Sequence, residues 1–145
     1  MPRLGPGTWL VDPAETAQAV GAALNLGYRH IDTAQAYGSE AGAGIRAYAL
    51  PGEAVFVASK IAAKHKNFRS AADSIDASLQ AAGLDYLDLM LIHSPQLWSM
   101  VNQSDGRCFA KNRAVWQAME DAYRAGKVRA TGVSNFLRED LESLF

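Results

Sequence analysis

Residues 30–40 read HIDTAQAYGSE, in which an apolar run ends at Asp32 and Tyr37 follows five residues later across a turn of small residues. The apolar run is typical of a short strand, and Asp32 lies where that strand ends. A carboxylate and a phenol held close together suit proton transfer, provided that a nearby cation favours the phenolate. We therefore expect the fold to bring such a cation to the end of this strand.

Strand-like segments recur on both sides of this stretch. The run 54–58, AVFVA, is continuously apolar, which is the pattern of a parallel strand covered on both faces. Five strands are predicted: a short one within 1–11 that ends near Thr8 and Trp9, then 28–32, 54–58, 88–92 and 128–133.

Helix signals occupy the segments between these strands. Asp12, Pro13 and Glu15 form an N-terminal signature, and Gly27 can take the left-handed conformation that ends a helix. The predicted helices are 13–26, a weaker 39–48 broken by Pro51-Gly52, one through 68–79 that stops at Gly83, 112–125 with Gly126 as its stop, and a further one over 137–145.

Two of these segments carry additional expectations. The fourth helix is predicted to bury a stripe of apolar residues, namely Val115, Trp116, Met119, Ala122 and Tyr123. The connection 94–111 is too long for a plain turn, and ordered connections of this length tend to be functional or mobile. Cys108 is interpreted as a residue of that loop.

Strands that alternate with helices through short connections are parallel, with right-handed crossovers. An open doubly wound sheet and a (β/α)₈ barrel both satisfy this order. No G-x-G-x-x-G segment leads into the first helix, which disfavours a dinucleotide-binding open sheet. Asp32, Lys60, His93 and the pair Ser134-Asn135 each follow an apolar strand, at the end where barrel enzymes keep their active sites. The pattern predicts an α/β fold of the TIM-barrel type.

In a barrel, Asp32, Tyr37, Lys60 and His93 converge on one rim. An ammonium at Lys60 would favour the phenolate of a neighbouring tyrosine, and Asp32 would keep that ammonium charged and oriented. Tyr37 then becomes a plausible general acid, and His93 a second hydrogen-bond donor to the oxygen that gains negative charge. This chemistry suits reduction of a carbonyl by hydride, for which a nicotinamide cofactor would be the source.

These residues, in this order, resemble the aldo-keto reductase family over nearly the whole chain. The segments that carry the resemblance are LGPGTW at 4–9, HIDTA at 30–34 with Tyr37 and Glu40, Ser59-Lys60, DLMLIH at 88–93, GKVR at 126–129 and GVSNF at 132–136.

The resemblance implies an NADP(H)-linked barrel enzyme that reduces aldehydes or ketones. It implies a catalytic tetrad of Asp32, Tyr37, Lys60 and His93, with NADPH as the cofactor. It further implies that Ser134 and Asn135 hydrogen-bond the nicotinamide carboxamide. Thr8 and Trp9 match positions that line the mouth for cofactor and substrate, and Trp98 is assigned to the same wall.

Each of these residues also has a simpler interpretation. A single aspartate at a strand end is often a turn residue, a single lysine there is usually solvated, and a single histidine is often structural. Ser134 and Asn135 could cap the helix that follows, because serine and asparagine are preferred at that position. Trp116 and Tyr123 are assigned to packing. The four tetrad positions occurring together in the family's order favour the catalytic interpretation.

Composition excludes several other classes. The charged fraction is 20% and the formal net charge is −1, without a dense basic run, which argues against nucleic acid or an anionic membrane as the main partner. The N-terminus lacks the apolar core of a signal peptide. A single cysteine, Cys108, cannot form an internal disulfide, so we expect a reducing, cytoplasmic setting.

Length sets the last expectation. A (β/α)₈ barrel typically needs about 250 residues, so 1–145 is predicted to be the N-terminal portion of such a barrel, with about five βα units. The resemblance implies that the family's later strands carry the aromatic that stacks on the nicotinamide and the basic segment for the 2′-phosphate, and neither has a counterpart here. An open arc would expose strand edges, which predicts self-association or a complementary C-terminal half.

Three functions therefore remain open at the level of sequence. The chain could be a reductase completed by another half, a catalytically silent fragment or binding module of the same fold, or a barrel enzyme of another class, such as an isomerase or aldolase that uses Lys60. The matches at Tyr37 and Ser134-Asn135 favour the reductase.

Overall fold

A computed structural model describes residues 1–38, 44–45, 52–101, 103 and 106–145. In these ranges strands and helices alternate along the chain. The strands are β1 His30–Asp32, β2 Phe56–Ile61, β3 Leu89–Ile92 and β4 Thr131–Val133. The helices are α1 Pro13–Asn25, α2 Phe68–Ala82, α3 Phe109–Arg124 and α4 Arg138–Glu142, with short 3₁₀ turns at Gln35–Tyr37, Gly52–Ala54 and Trp98–Met100.

The four strands form one parallel sheet in the order β1-β2-β3-β4. Each strand therefore lies beside the next one along the chain, as in a barrel and unlike an open sheet whose strand order reverses. The register places Asp32 opposite Ala58 and Lys60 opposite Leu91. The predicted parallel α/β arrangement is confirmed, as a partial barrel.

The helix boundaries follow the signals in the sequence. Asp12 accepts a hydrogen bond from the Ala14 N–H at 2.8 Å and so caps α1. Gly83 takes a left-handed conformation, with φ of 62°, and ends α2. Gly27 has φ of 93°, just beyond α1. The helices predicted from these residues are confirmed to within a few residues.

The predicted first strand is wrong as a regular strand. Gly7 makes only an isolated parallel bridge to Asp32, through hydrogen bonds from the Asp32 N–H to Pro6 O and from the Thr8 N–H to Asp32 O. Pro6 has no N–H, and two glycines flank it, so this segment cannot extend a ladder. The described sheet consequently has four strands and one bridging segment in place of the expected five strands.

Two other boundaries differ from the prediction, and one predicted helix cannot be compared. Strand β2 continues through Ile61, so Ser59 and Lys60 lie within it and do not follow it. Helix α3 begins at Phe109, with Cys108 as its N-cap, which shortens the long connection by three residues. The helix predicted over 39–48 lies outside the described residues apart from 44–45, as does Glu40.

The main core lies between the sheet and its helices. Ile31, Val57, Ile61, Met90 and Ile92 project from the strands towards the helices and are buried against residues of α1, α2 and α3. From α3, Val115, Met119 and Ala122 join this core and Trp116 packs against it, as predicted. Tyr123 does not: its exposed fraction is 57%, so its assignment to packing is wrong.

The opposite face of the sheet is less well covered. In β3, Met90 and Ile92 are buried, whereas Leu89 and Leu91 on the other face are only half-buried. All three residues of β4 are also half-buried. In a barrel this face is turned inward and is filled by side chains from all eight strands. No helix in the described part of the chain is both long and apolar enough to cross a membrane.

Candidate active site

An ion pair between β1 and β2 forms the centre of the candidate site. The Lys60 ammonium lies 2.6 and 2.8 Å from the two carboxylate oxygens of Asp32 and 2.9 Å from the backbone oxygen of Thr33. The parallel register explains the contact, because Asp32 is opposite Ala58 and Lys60 projects from the same face two residues further on. Each of the three N–H groups of the ammonium thus has a hydrogen-bond acceptor, although Lys60 is only 7% exposed.

Tyr37 stands beside this ion pair. It ends the 3₁₀ turn that follows β1, and Gly38 leaves the turn in the left-handed conformation with φ of 69°. The Lys60 ammonium lies 5.4 Å from the centroid of the Tyr37 ring. The sequence placed Tyr37 near a cation, and the described structure has the two residues in contact range.

Gln35 holds the turn that carries Tyr37. Its amide nitrogen donates to Ser74 O and to the Ser78 hydroxyl, each at 2.9 Å, and its amide oxygen accepts from the Ala62 N–H at 2.9 Å. One side chain therefore ties the turn both to α2 and to the end of β2. Sequence reasoning missed this role, because the partners are about 30 to 40 residues away and leave no local pattern.

His93 completes the cluster from the end of β3. It is 6% exposed. Its ring packs edge-on against Tyr37, with centroids 5.7 Å apart, and against Trp98, with centroids 4.9 Å apart. Trp98 therefore lies against His93, and its place in the wall of a cofactor and substrate mouth stays a prediction. The tetrad predicted from the sequence is thus assembled in one place by three neighbouring strands.

The protonation of His93 follows from its surroundings. Burial lowers the pKa of the imidazole, and the Lys60 ammonium lowers it further, against a smaller opposing effect of the Asp32 carboxylate. The ring is therefore neutral at neutral pH. Its Nδ1 atom is buried and has no hydrogen-bond partner among the described residues. A proton there would be a buried donor without an acceptor in the described part of the chain, which favours the tautomer with the proton on Nε2.

We expect His93 to titrate below the ordinary histidine value of about 6.5 in an NMR titration of the ring carbons. The unfolded chain then binds more protons than the folded chain between the two pKa values. This part of the stability is present above about pH 6.5 and is lost as the pH falls through that value towards the folded-state pKa. In His93→Gln, the decrease in melting temperature between about pH 7 and pH 5 should become smaller.

His65 supplies the control for this titration. Burial and the Lys64 charge lower its pKa as well, but it lies outside the ring contacts of the tetrad. His65→Gln should leave the resonance and the midpoint of His93 unchanged. A His93 midpoint at or above that of a free histidine contradicts the proposed environment.

Ser134 and Asn135 lie at the end of β4, next to His93. Asn135 adopts a left-handed conformation with φ of 61°, and its amide nitrogen donates to His93 O at 2.8 Å and to the Ser134 hydroxyl oxygen at 3.0 Å. Neither residue caps the following helix, because the N-cap of α4 is Leu137. The simpler capping interpretation is wrong.

Thr8 and Trp9, the two N-terminal candidates for cofactor binding, differ in their exposure to solvent. Thr8 is buried, and its hydroxyl donates to the Thr33 hydroxyl at 2.9 Å, beside the backbone oxygen that binds Lys60. Trp9 is 68% exposed. The described structure thus brings Thr8 next to the tetrad and leaves Trp9 on the surface. Among the described residues, no cluster of His, Cys, Asp and Glu side chains could hold a metal ion.

The sequence of this chain matches known proteins of one family. The model of the Aldo/keto reductase family matches residues 2–144. A 9,11-endoperoxide prostaglandin H2 reductase of Trypanosoma cruzi is 40% identical over 148 residues, which cover 100% of this chain and 48% of that protein.

Solved structures of related proteins also superpose on this chain. An aldo/keto reductase from Brucella melitensis superposes with a TM-score of 0.88 at 35% identity, over 99% of this chain and 53% of that one. A Gox0644 variant in complex with NADPH superposes with a TM-score of 0.83 at 32% identity, over 99% of this chain and 49% of that one. The chain therefore spans about half the length of the relatives that it matches.

Proposed function

This chain belongs to the aldo/keto reductase family, and we propose that it provides the catalytic part of an NADP(H)-dependent oxidoreductase that reduces aldehydes or ketones to alcohols. In this proposal residues 1–145 are the N-terminal portion of the barrel domain. The observation that carries it is the Lys60 ammonium, held by Asp32 on one side and 5.4 Å from the Tyr37 ring on the other, with His93 against the same ring.

Tyr37 acts as the general acid in this mechanism. The carbonyl oxygen gains negative charge as the carbon is reduced, and the Tyr37 hydroxyl gives it a proton, which completes the alcohol. Lys60 stabilises the phenolate that remains. Asp32 holds Lys60 in place beside Tyr37, because its two carboxylate oxygens accept hydrogen bonds from the ammonium at 2.6 and 2.8 Å.

His93 orients the substrate. As a neutral ring with its proton on Nε2, it can donate one hydrogen bond to the carbonyl oxygen and stabilise the charge that develops there. The edge contacts with Tyr37 and Trp98 limit rotation of the ring. Two donors, from Tyr37 and His93, thus address the same oxygen.

The described residues fit a nicotinamide carboxamide. Asn135 uses its amide N–H groups on His93 O and on the Ser134 oxygen. Its amide oxygen and the Ser134 hydroxyl proton then remain as an acceptor and a donor, which is what a carboxamide requires. When bound, NADPH supplies the hydride that reduces the carbonyl carbon. The bond from Asn135 to His93 O ties the cofactor-binding residues to the catalytic histidine.

The alternative within the same fold is a catalytically silent fragment or binding module, which keeps half of the fold without turnover. One experiment distinguishes the reductase from the silent fragment. Residues 1–145 are assayed alone and as a chimera joined to the remaining half of the Brucella melitensis relative. We expect NADPH-dependent reduction of aldehydes by the chimera. A chimera that folds and binds NADPH but does not reduce any aldehyde or ketone in a broad panel favours the silent fragment.

An isomerase or aldolase that uses Lys60 as a nucleophile is disfavoured by the same geometry. A Schiff-base lysine must be neutral to attack a carbonyl. Lys60 instead donates to three oxygen atoms, two of them on a carboxylate. These three hydrogen bonds hold the nitrogen in place and leave it no free direction for attack on a carbonyl.

We expect the 145-residue chain alone to bind NADPH weakly, with a dissociation constant above about 1 μM. The proposed contacts in this chain reach the nicotinamide end, and the resemblance assigns the 2′-phosphate contacts to later strands. Fluorescence titration with NADPH measures the constant, and the chimera serves as the positive control. Submicromolar binding by the chain alone would contradict this division of the cofactor site.

We also expect the chain to self-associate or to bind a complementary half. Leu89 and Leu91 are half-buried on the inner face of the sheet, and no strand within the described ranges pairs with the outer edge of β4. Such a surface favours association. Light scattering over a range of protein concentrations measures the mass. A chain that is monomeric at all concentrations and unfolds in one cooperative thermal transition would contradict the prediction of self-association.

A further inference from the structure

A cavity lies outside the tetrad, between the connection after β2 and the start of α3. Its volume is about 560 Å³, within the range of pockets for small ligands. Lys64, Lys66, Arg107 and Lys111 line it together with apolar residues, which include Leu97, Met100 and Phe109. None of the described lining residues is acidic.

Among the described residues, the positive charge in this cavity is only partly balanced by carboxylates. Arg107 pairs with Glu139 and with the buried Asp140, so its charge is compensated. Lys66 has only neutral acceptors, Ser94 O at 2.7 Å and the Asn112 amide oxygen at 3.0 Å. Within the described residues neither Lys64 nor Lys111 forms an ion pair. Three lysines therefore face one cavity without a carboxylate partner among the described residues.

The backbone adds to this imbalance. Helix α3 has 16 residues and begins at the cavity, where Phe109, Ala110 and Lys111 form its first turn. The N-cap Cys108 makes no side-chain capping hydrogen bond, and the first turn contains no acidic residue. The positive end of the helix dipole therefore points at the same space as the lysines.

The pKa of Lys66 also reflects the positive charge around this cavity. Burial lowers the pKa of its ammonium to about 8, and the charge of Lys111 contributes to the decrease, while Cys108 and Asp140 oppose it. An ammonium that is destabilised in this way is stabilised when an anion binds beside it.

We propose that this cavity binds a phosphorylated small molecule, with the phosphoryl group on Lys64, Lys66, Lys111 and the first turn of α3, and an apolar group against Leu97, Met100 and Phe109. A phosphoryl dianion matches three lysines that line one cavity better than a single carboxylate does. The three apolar side chains account for the remainder of the volume. This site is independent of the proposed carbonyl chemistry, so its test does not depend on turnover.

Phenyl phosphate is the probe, added to the 145-residue chain at constant ionic strength and followed by amide NMR. Phenol and inorganic phosphate separate the contributions of ring and charge. We expect saturable shifts confined to the lining residues, tighter binding of phenyl phosphate than of inorganic phosphate, and no binding of phenol. The pKa of Lys66, followed at its side-chain carbon, should rise on binding.

Three variants decide whether the lysines form the site. The double variant K64Q/K111Q alters two exposed side chains and should weaken phenyl phosphate at least about fivefold, as should K66Q. K127Q removes an equal charge from a lysine that pairs with Asp76 elsewhere, and should bind normally. Because Lys66 also joins two loops, K64Q/K111Q remains decisive if K66Q unfolds. Equal affinity in K64Q/K111Q and K127Q, or absence of saturable binding, would overturn the proposal.

Discussion

Tyr37→Phe is expected to lower the rate of carbonyl reduction by the chimera at least about a hundredfold, because general acid catalysis typically contributes about 10²–10⁴-fold. The substitution removes only the hydroxyl. The ring contact with His93 and the proximity to Lys60 are retained, so the fold and the binding of NADPH should be preserved. Steady-state kinetics with an aldehyde measures kcat, and fluorescence titration measures the cofactor affinity in the same preparation.

Trp98→Phe is a matched control for this prediction. It alters another aromatic residue in contact with His93, but removes no group that is proposed to donate a proton. We expect it to change KM more than kcat. Comparable kcat values for Tyr37→Phe and the unmodified chimera would remove Tyr37 from the role of general acid.

Lys60→Met is expected to have a comparable effect on turnover for a different reason. Methionine fills much of the same space but leaves the phenolate of Tyr37 without its neighbouring cation. It also leaves Asp32 without its partner. Because the Asp32 side chain is 40% exposed in the 145-residue chain, water can solvate that carboxylate there, and we expect Lys60→Met to change the melting temperature of this chain little while it lowers kcat of the chimera. Kinetics and thermal unfolding of the same variant separate the two effects.

Lys127→Met serves as the control, since Lys127 also pairs with an aspartate but lies outside the site. It should change neither kcat nor cofactor affinity. A Lys60→Met chimera that unfolds would instead identify the Lys60–Asp32 pair as structural. Full activity in a folded Lys60→Met chimera would contradict the proposed stabilisation of the phenolate.

Much of the fold could be predicted from local signals. Asp12 caps α1 as its position before Pro13 suggested, and Gly83 ends α2 in the left-handed conformation. These features depend on a few neighbouring residues, so the sequence displays them directly. The apolar runs located β1, β3 and β4 in the same way, since strands of a parallel sheet packed under helices are rich in apolar residues.

The predictions failed where longer-range geometry decides. The segment around Pro6 has the apolar and glycine residues of a strand end, yet its hydrogen bonding to β1 gives only a single bridge. Tyr123 lies at helical spacing from buried residues but is exposed, because the position of α2 against α3, and not the period alone, decides which flank is covered.

The candidate site was predictable as a set of residues but not as a set of contacts. Strand ends in a parallel barrel share one rim, so Asp32, Lys60 and His93 could be grouped without coordinates. Three features could be seen only in the folded structure. They are the hydrogen bonds by which Gln35 fixes the Tyr37 turn, the hydrogen bond from Asn135 to His93 O, and the cavity beside Lys66. Their partners come from separate elements, and no spacing in the sequence connects them.

We propose that this chain carries the catalytic tetrad of a reductase and that the tetrad acts only within a complete barrel. The most direct measurement is the rate of NADPH consumption, with an aldehyde panel, by residues 1–145 alone and by the chimera with the remaining half of the Brucella melitensis relative. We predict aldehyde-dependent consumption by the chimera, and a rate near the uncatalysed background for the chain alone. A folded chimera that binds NADPH and shows no aldehyde-dependent consumption would contradict the account.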